Sequence, residues 1–219
     1  MGAQAISLPR RGEGGAPLRR VNLRADAMLP VADDPLVPAD TGQMAPAVWL
    51  VAAHGGAGVS SLSHVWEPMG DAGQQWPAAD EHPWCVVVCR STKTGLEKAH
   101  QAVLQAWADR TGGCEVLGVV VVADAPGKLP KSLARKIAVI EEIVEIWHVP
   151  YLAELRLNEA EDLASWQPGA AAPERRRMTT KRAVPATEEV PAVLAAVADD
   201  VFSSAMAAHK AQPTTKKEK

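Results

Sequence analysis

Ala53-His54-Gly55-Gly56-Ala57-Gly58-Val59-Ser60-Ser61 follows directly on the apolar run Val48-Trp49-Leu50-Val51-Ala52 and precedes a helix-compatible stretch. Glycines at a strand-to-helix turn let backbone N–H groups approach a phosphate where the helix begins. The order strand, Gly-Gly-x-Gly-x-Ser-Ser, helix is more specific than an isolated glycine-rich turn. It marks His54, Gly55, Gly56, Ala57, Gly58, Val59, Ser60 and Ser61 as a candidate phosphate loop.

Working outward, two more apolar runs match the first: Trp84-Cys85-Val86-Val87-Val88-Cys89 and Val116-Leu117-Gly118-Val119-Val120-Val121-Val122. A fourth spans Ile143 to His148 and is closed by Pro150. Continuous rather than alternating apolarity predicts strands covered on both faces, the mark of a parallel sheet. Between them, Leu96, Ala99, Val103, Leu104 and Trp107 recur at helical spacing, with Gly112-Gly113 as a stop signal. Leu133, Ile137 and Ile140 mark a second helix, with Pro130 near its first turn. Strand–helix alternation of this kind predicts an α/β fold with a doubly wound, mostly parallel sheet flanked by helices.

The flanks differ in composition. Residues 1–45 are rich in Gly, Pro, Ala, Arg and Asp without any period, which predicts a disordered segment. The α/β domain is expected over residues 46–167, followed by an exposed linker at 168–187 and an amphipathic helix at 188–209. A basic tail, 210–219, carries four lysines against Glu218. Formal net charge is -3, so no overall basic field points to nucleic acid; only the basic runs Arg175–Arg182 and Lys210–Lys219 offer such a contact. Cys85, Cys89 and Cys114 are too few and too scattered for a disulfide framework. With no apolar run long enough to span a membrane and no signal-peptide pattern, a cytoplasmic location is expected.

The loop resembles that of the ParA/MinD family of P-loop NTPases, Lys-Gly-Gly-x-Gly-Lys-Thr/Ser. Gly55, Gly56 and Gly58 fall on its glycines, and Ser60 falls on the hydroxyl that holds magnesium there. Val59 stands in place of the phosphate-reaching lysine, His54 in place of the signature lysine, and Ala53 in place of the first glycine of the general pattern. Downstream, Val116-Leu117-Gly118-Val119 is similar to the family's Leu-Gly-x-Val strand, and His148-Val149-Pro150-Tyr151 to its Val/Ile-Pro-Tyr element. Ala123-Asp124 occupies the place of the purine-reading Asn. Between Ser61 and Trp84 no strand ending in the family's Asp-x-x-Pro switch is evident, and there is little room for one.

The resemblance implies a shortened, degenerate P-loop fold with ATP and Mg2+ as ligands and Ser60 as the metal residue. A valine cannot offset phosphate charge, so hydrolysis is expected to be slight or absent; any activity would be that of an ATPase. It further implies an accessory or regulatory role in DNA transfer, such as conjugation, or in partitioning. The alternative is a protein-interaction scaffold with an empty loop, binding a partner through Trp66 and Trp76 or the C-terminal helix.

Other residues carry weaker signals. Lys93 lies just past a strand end, where open α/β sheets bind ligands, and Asp124, Lys128 and Lys131 follow the next strand. Cys85 and Cys89, four apart, share one strand face; their spacing suits packing rather than zinc, and Cys114 has no evident partner.

Overall fold

A computed structural model of the chain describes residues 23–37, 42, 44–169 and 184–212. The apolar runs form β1 (Val48–Ala52), β3 (Trp84–Arg90), β4 (Glu115–Val122) and β5 (Glu145–Val149), and a short strand, β2 (Met69–Asp71), joins them. Helices α1 (Val59–Val65), α2 (Lys93–Trp107) and α3 (Lys131–Glu141) alternate with the strands, and α4 (Glu154–Leu157) and α5 (Ala192–Ala211) follow. All pairings are parallel, in the order β2-β1-β3-β4-β5.

Continuous apolarity has the reason the sequence suggests in β1, β3 and most of β4, which are buried on both faces, whereas the edge strand β5 leaves Glu145 and His148 exposed. Val48, Leu50, Val86, Val88, Val120 and Val122 pack on one side with α1 and α5. Trp49, Val51, Cys85, Val87, Cys89, Val119 and Val121 pack on the other with α2 and α3. Because α2 and α3 share a face, the first face over β3 to β5 would lie bare without another element. Helix α5 fills it with Leu194, Ala198, Val201 and Ala205, all fully buried.

Four expectations change. The strand thought to have no room exists: β2 pairs with β1 through Val48↔Met69, Trp49↔Gly70 and Leu50↔Asp71. It fits because α1 is only seven residues long. Secondly, residues 23–37 are not a formless lead-in. The Leu29 N–H and carbonyl both bond the Gln105 amide, at 2.9 and 2.8 Å, and the Leu36 and Val37 N–H groups donate to Glu81. Leu29, Val31, Leu36 and Val37 pack on the α2/α3 face. Thirdly, Trp66 and Trp76 are fully buried, so neither offers a partner surface. Fourthly, the C-terminal helix belongs to the core, and of the expected linker Ala186 is buried, its carbonyl accepting from Ala164 N–H at 2.9 Å.

Residues 1–22, 170–183 and 213–219, which hold much of the expected disordered segment, linker and basic runs, lie outside the described residues. Among the described residues α5, with 20 residues and a mean hydropathy of 1.2, is long and apolar enough to cross a membrane by length and composition. Its apolar stripe is spent on the sheet, which leaves no clear span.

Candidate functional site

The chain leaves β1 in one direction through α1 to β2, and returns to pair β3 on the other side of β1. In open α/β sheets the crevice at such a reversal, outside the carboxyl ends of the strands, is where ligands bind. The glycine turn, residues 54–58, stands on the β1 side of this crevice and the Arg90-Ser91-Thr92 turn on the β3 side.

Ladder bonds carry β1 into the turn: Ala53 N–H donates to the Val88 carbonyl at 2.9 Å. The turn then closes through Ala57 N–H to the His54 carbonyl at 3.2 Å. Gly56 (φ 74°) and Gly58 (φ 102°) take left-handed backbone conformations that a side chain resists. Gly58 is the N-cap of α1, and its carbonyl accepts from Leu62 N–H at 3.0 Å. Ala57 and Val59 are buried in the α1 face of the core. Residue 59 is thus a packing position, which accounts physically for its valine.

Ser60 is exposed and donates its hydroxyl proton to Asp71 Oδ2 at 2.8 Å. The other carboxylate oxygen accepts from Gly73 N–H at 2.7 Å. Asp71 ends β2, so pairing of β2 with β1 is what brings this carboxylate back to the loop. Among the described residues no group of three or more His, Cys, Asp or Glu side chains is arranged to hold a metal. A hydroxyl and a carboxylate side by side do suit Mg2+, which keeps several waters and takes one or two protein oxygens with a substrate phosphate.

His54 and Arg90 stitch the crevice together. His54 Nε2 accepts from Arg90 N–H at 3.1 Å, so the ring proton sits on Nδ1, facing the Gly55 carbonyl at 2.9 Å. Helix α2 presses against this ring: a Cβ on Gly95 would lie 2.8 Å from His54 Nε2 and 2.5 Å from the Arg90 carbonyl. The Arg90 guanidinium donates through Nε to the Gly56 carbonyl and through Nη1 to the Ala123 carbonyl, each at 3.3 Å. Ser91, buried, accepts from Asp124 N–H through Oγ at 3.0 Å. Three strand-end loops are therefore held by side chains bonded to backbone. Lys93, Asp124, Lys128 and Lys131 are exposed, and none of their side chains takes part in these bonds.

Asp71, Arg90 and Ser91 are absent from the sequence-based candidates. Arg90 does leave a signal, as the first charge after a valine-rich run and so at the ligand end of its strand. Asp71, in Asp-Ala-Gly, carries only the signature of a turn.

Elsewhere, a shallow cavity of about 340 Å3 on the outer side of α2 and α3 is lined by Leu96, Glu97, His100, Arg135, Lys136 and Val139. The ion pair Lys136–Glu97, at 2.7 Å, bridges its walls. The Cys114 thiol donates to the Pro77 carbonyl at 3.7 Å, and the Cys85 thiol lowers the pKa of Cys114.

Residues 46–167 match the model of a protein family described as a family of unknown function (DUF6668). The chain belongs to this family. No curated protein and no solved structure matches it. The DUF6668 match takes in all five strands, the glycine turn, Asp71 and Arg90, and leaves α5 outside.

Proposed function

We propose that this DUF6668 protein is a degenerate relative of the ParA/MinD type that binds a nucleotide or other phosphate ligand at the glycine turn and hydrolyses it slowly or not at all. The observation that carries the reading is the Ser60–Asp71 pair beside the β1/β3 crevice. Donation to Asp71 leaves the Ser60 lone pairs for a cation, and a carboxylate of β2 stands next to the loop where the resemblance had lacked one. ATP with Mg2+ is the ligand the resemblance suggests, held by Gly55 to Ser61. Slow turnover follows from residue 59, whose buried valine brings no charge to a leaving phosphate. The protein then acts as an accessory or regulatory component, with DNA transfer or partitioning as its setting.

A second reading, an interaction scaffold on the same fold, is favoured by one observation. Arg90 already satisfies the Gly56 carbonyl, and a loop held by a side chain from β3 needs no ligand to keep its shape.

Melting curves with Mg-ATP, Mg-GTP and nucleotide-free controls test the proposal. A ligand at a hundred times its dissociation constant stabilises the native state by roughly 2.7 kcal/mol, which raises the melting temperature visibly. The shift should vanish in Gly58→Trp. No shift with the native protein at millimolar nucleotide favours the scaffold.

A further inference from the structure

The Arg90 guanidinium is the cationic group built into the crevice, on the β3 side rather than in the loop. Two of the five guanidinium N–H donors go to Gly56 and Ala123; the other three have no partner among the described residues. The side chain is partly buried, with its stem at the end of the central strand and its head between the loops after β1 and β4. Lys93, which opens α2, and Lys128 and Lys131, which follow β4, are exposed.

We propose that Arg90 is the residue that binds the ligand's phosphate oxyanions, taking over from the opposite wall of the crevice the charge that a loop lysine supplies elsewhere. The inference rests on the phosphate-ligand reading of the loop and adds to it the group that recognises the anion. A planar guanidinium with three unspent donors suits two oxygens of one phosphate, or one oxygen from each of two linked phosphates. Its two carbonyl bonds fix the head, so little side-chain freedom is lost when the anion arrives. Charge from the wall, rather than from residue 59, lets Val59 remain a core residue. It also implies that a polyphosphate binds without magnesium, with the cation at Ser60 and Asp71 adding to affinity instead of being required for it.

The test is calorimetry of the full chain with inorganic pyrophosphate and with ATP, metal-free, at several salt concentrations. Arg90→Gln should weaken pyrophosphate at least tenfold and flatten the salt dependence of its affinity, a change that loosening of the loop alone does not produce. Arg90→Lys should keep the salt dependence while losing part of the affinity. In the native protein, the Arg90 Nε–H resonance should shift on saturation with pyrophosphate, a readout independent of any variant's folding. Native-like affinity and salt dependence in Arg90→Gln, or an unmoved resonance while pyrophosphate binds, would overturn the role of Arg90 and leave the loop reading standing. Failure of the native protein to bind either ligand without metal would overturn the role of Arg90, and failure with Mg2+ added as well would remove the loop reading too.

Discussion

Ser60, in the first turn of α1, and Asp71, the last residue of β2, meet at 2.8 Å because a three-residue strand pairs beside β1. The contact is exposed, so its net worth to folding is small, below about 1 kcal/mol. Its expected consequence is for ligand binding. Magnesium should enlarge the nucleotide-induced rise in melting temperature of the native protein. Ser60→Ala and Asp71→Asn should each remove that increment and leave the ligand-free melting temperature within about 2 °C. A magnesium increment that survives both substitutions would place the cation elsewhere.

The three loop glycines are not equivalent. Gly58, at φ 102°, should lose about 1–2 kcal/mol on replacement by Ala. Gly55 has no left-handed backbone, and a Cβ there would meet only Gln74 Nε2 at 3.7 Å. Gly55→Ala should therefore stay within about 0.5 kcal/mol of the native protein. Urea denaturation separates the two outcomes.

Acid should weaken the fold before its carboxylates titrate. Burial holds the His82 imidazole below its ordinary value of 6.5, with the Pro46 carbonyl and Glu81 opposing and His209 reinforcing. Burial lowers His100 in the same way, opposed by Glu97 and helped by Lys136. Both groups take up protons more readily unfolded than folded. Their stability contribution is complete above the unfolded value and is lost as the pH falls below 6.5 towards the depressed folded values. The urea midpoint should be lower at pH 5.5 than at pH 7.5, and His82→Phe with His100→Gln should flatten the difference.

The thiols should differ in reactivity. Burial pushes Cys89 up to about 12 and Cys85 well above its ordinary value, whereas the Cys85 thiol lowers Cys114. Since the thiolate is the nucleophile, iodoacetamide should modify Cys114 before Cys85 and Cys89 in the folded protein. Mass spectrometry of a time course gives the order, and in denaturant the three should react alike.

Val201 is fully buried where α5 covers the sheet. Val201→Asp places a carboxylate there without a partner and should cost more than about 3 kcal/mol. Hydrogen exchange should rise over residues 192–211 and β5 together; protection retained in both would mean that α5 is not needed to close that face.

Much of this fold is written in short-range pattern. The apolar runs announce β1, β3, β4 and β5, and the spacing of Leu96, Ala99 and Val103 announces α2. What escapes the sequence depends on partners distant along the chain. Met69-Gly70-Asp71 is too short to have a period and becomes a strand only because β1 offers an edge. Leu29 is ordered by the side chain of Gln105, 76 residues away. The site divides in the same way. Its glycine turn is legible because left-handed backbone requires glycine, whereas Arg90 and Asp71 join it through sheet register, which no local pattern encodes.

The most direct test of the central claim is a titration of the 15N-labelled protein with ATP, followed through its backbone amide resonances. Shifts should concentrate in Gly55 to Ser61 and in the turn after Arg90, at the carboxyl ends of β1 and β3. Shifts confined to the α2/α3 cavity, or none at millimolar nucleotide, would contradict it.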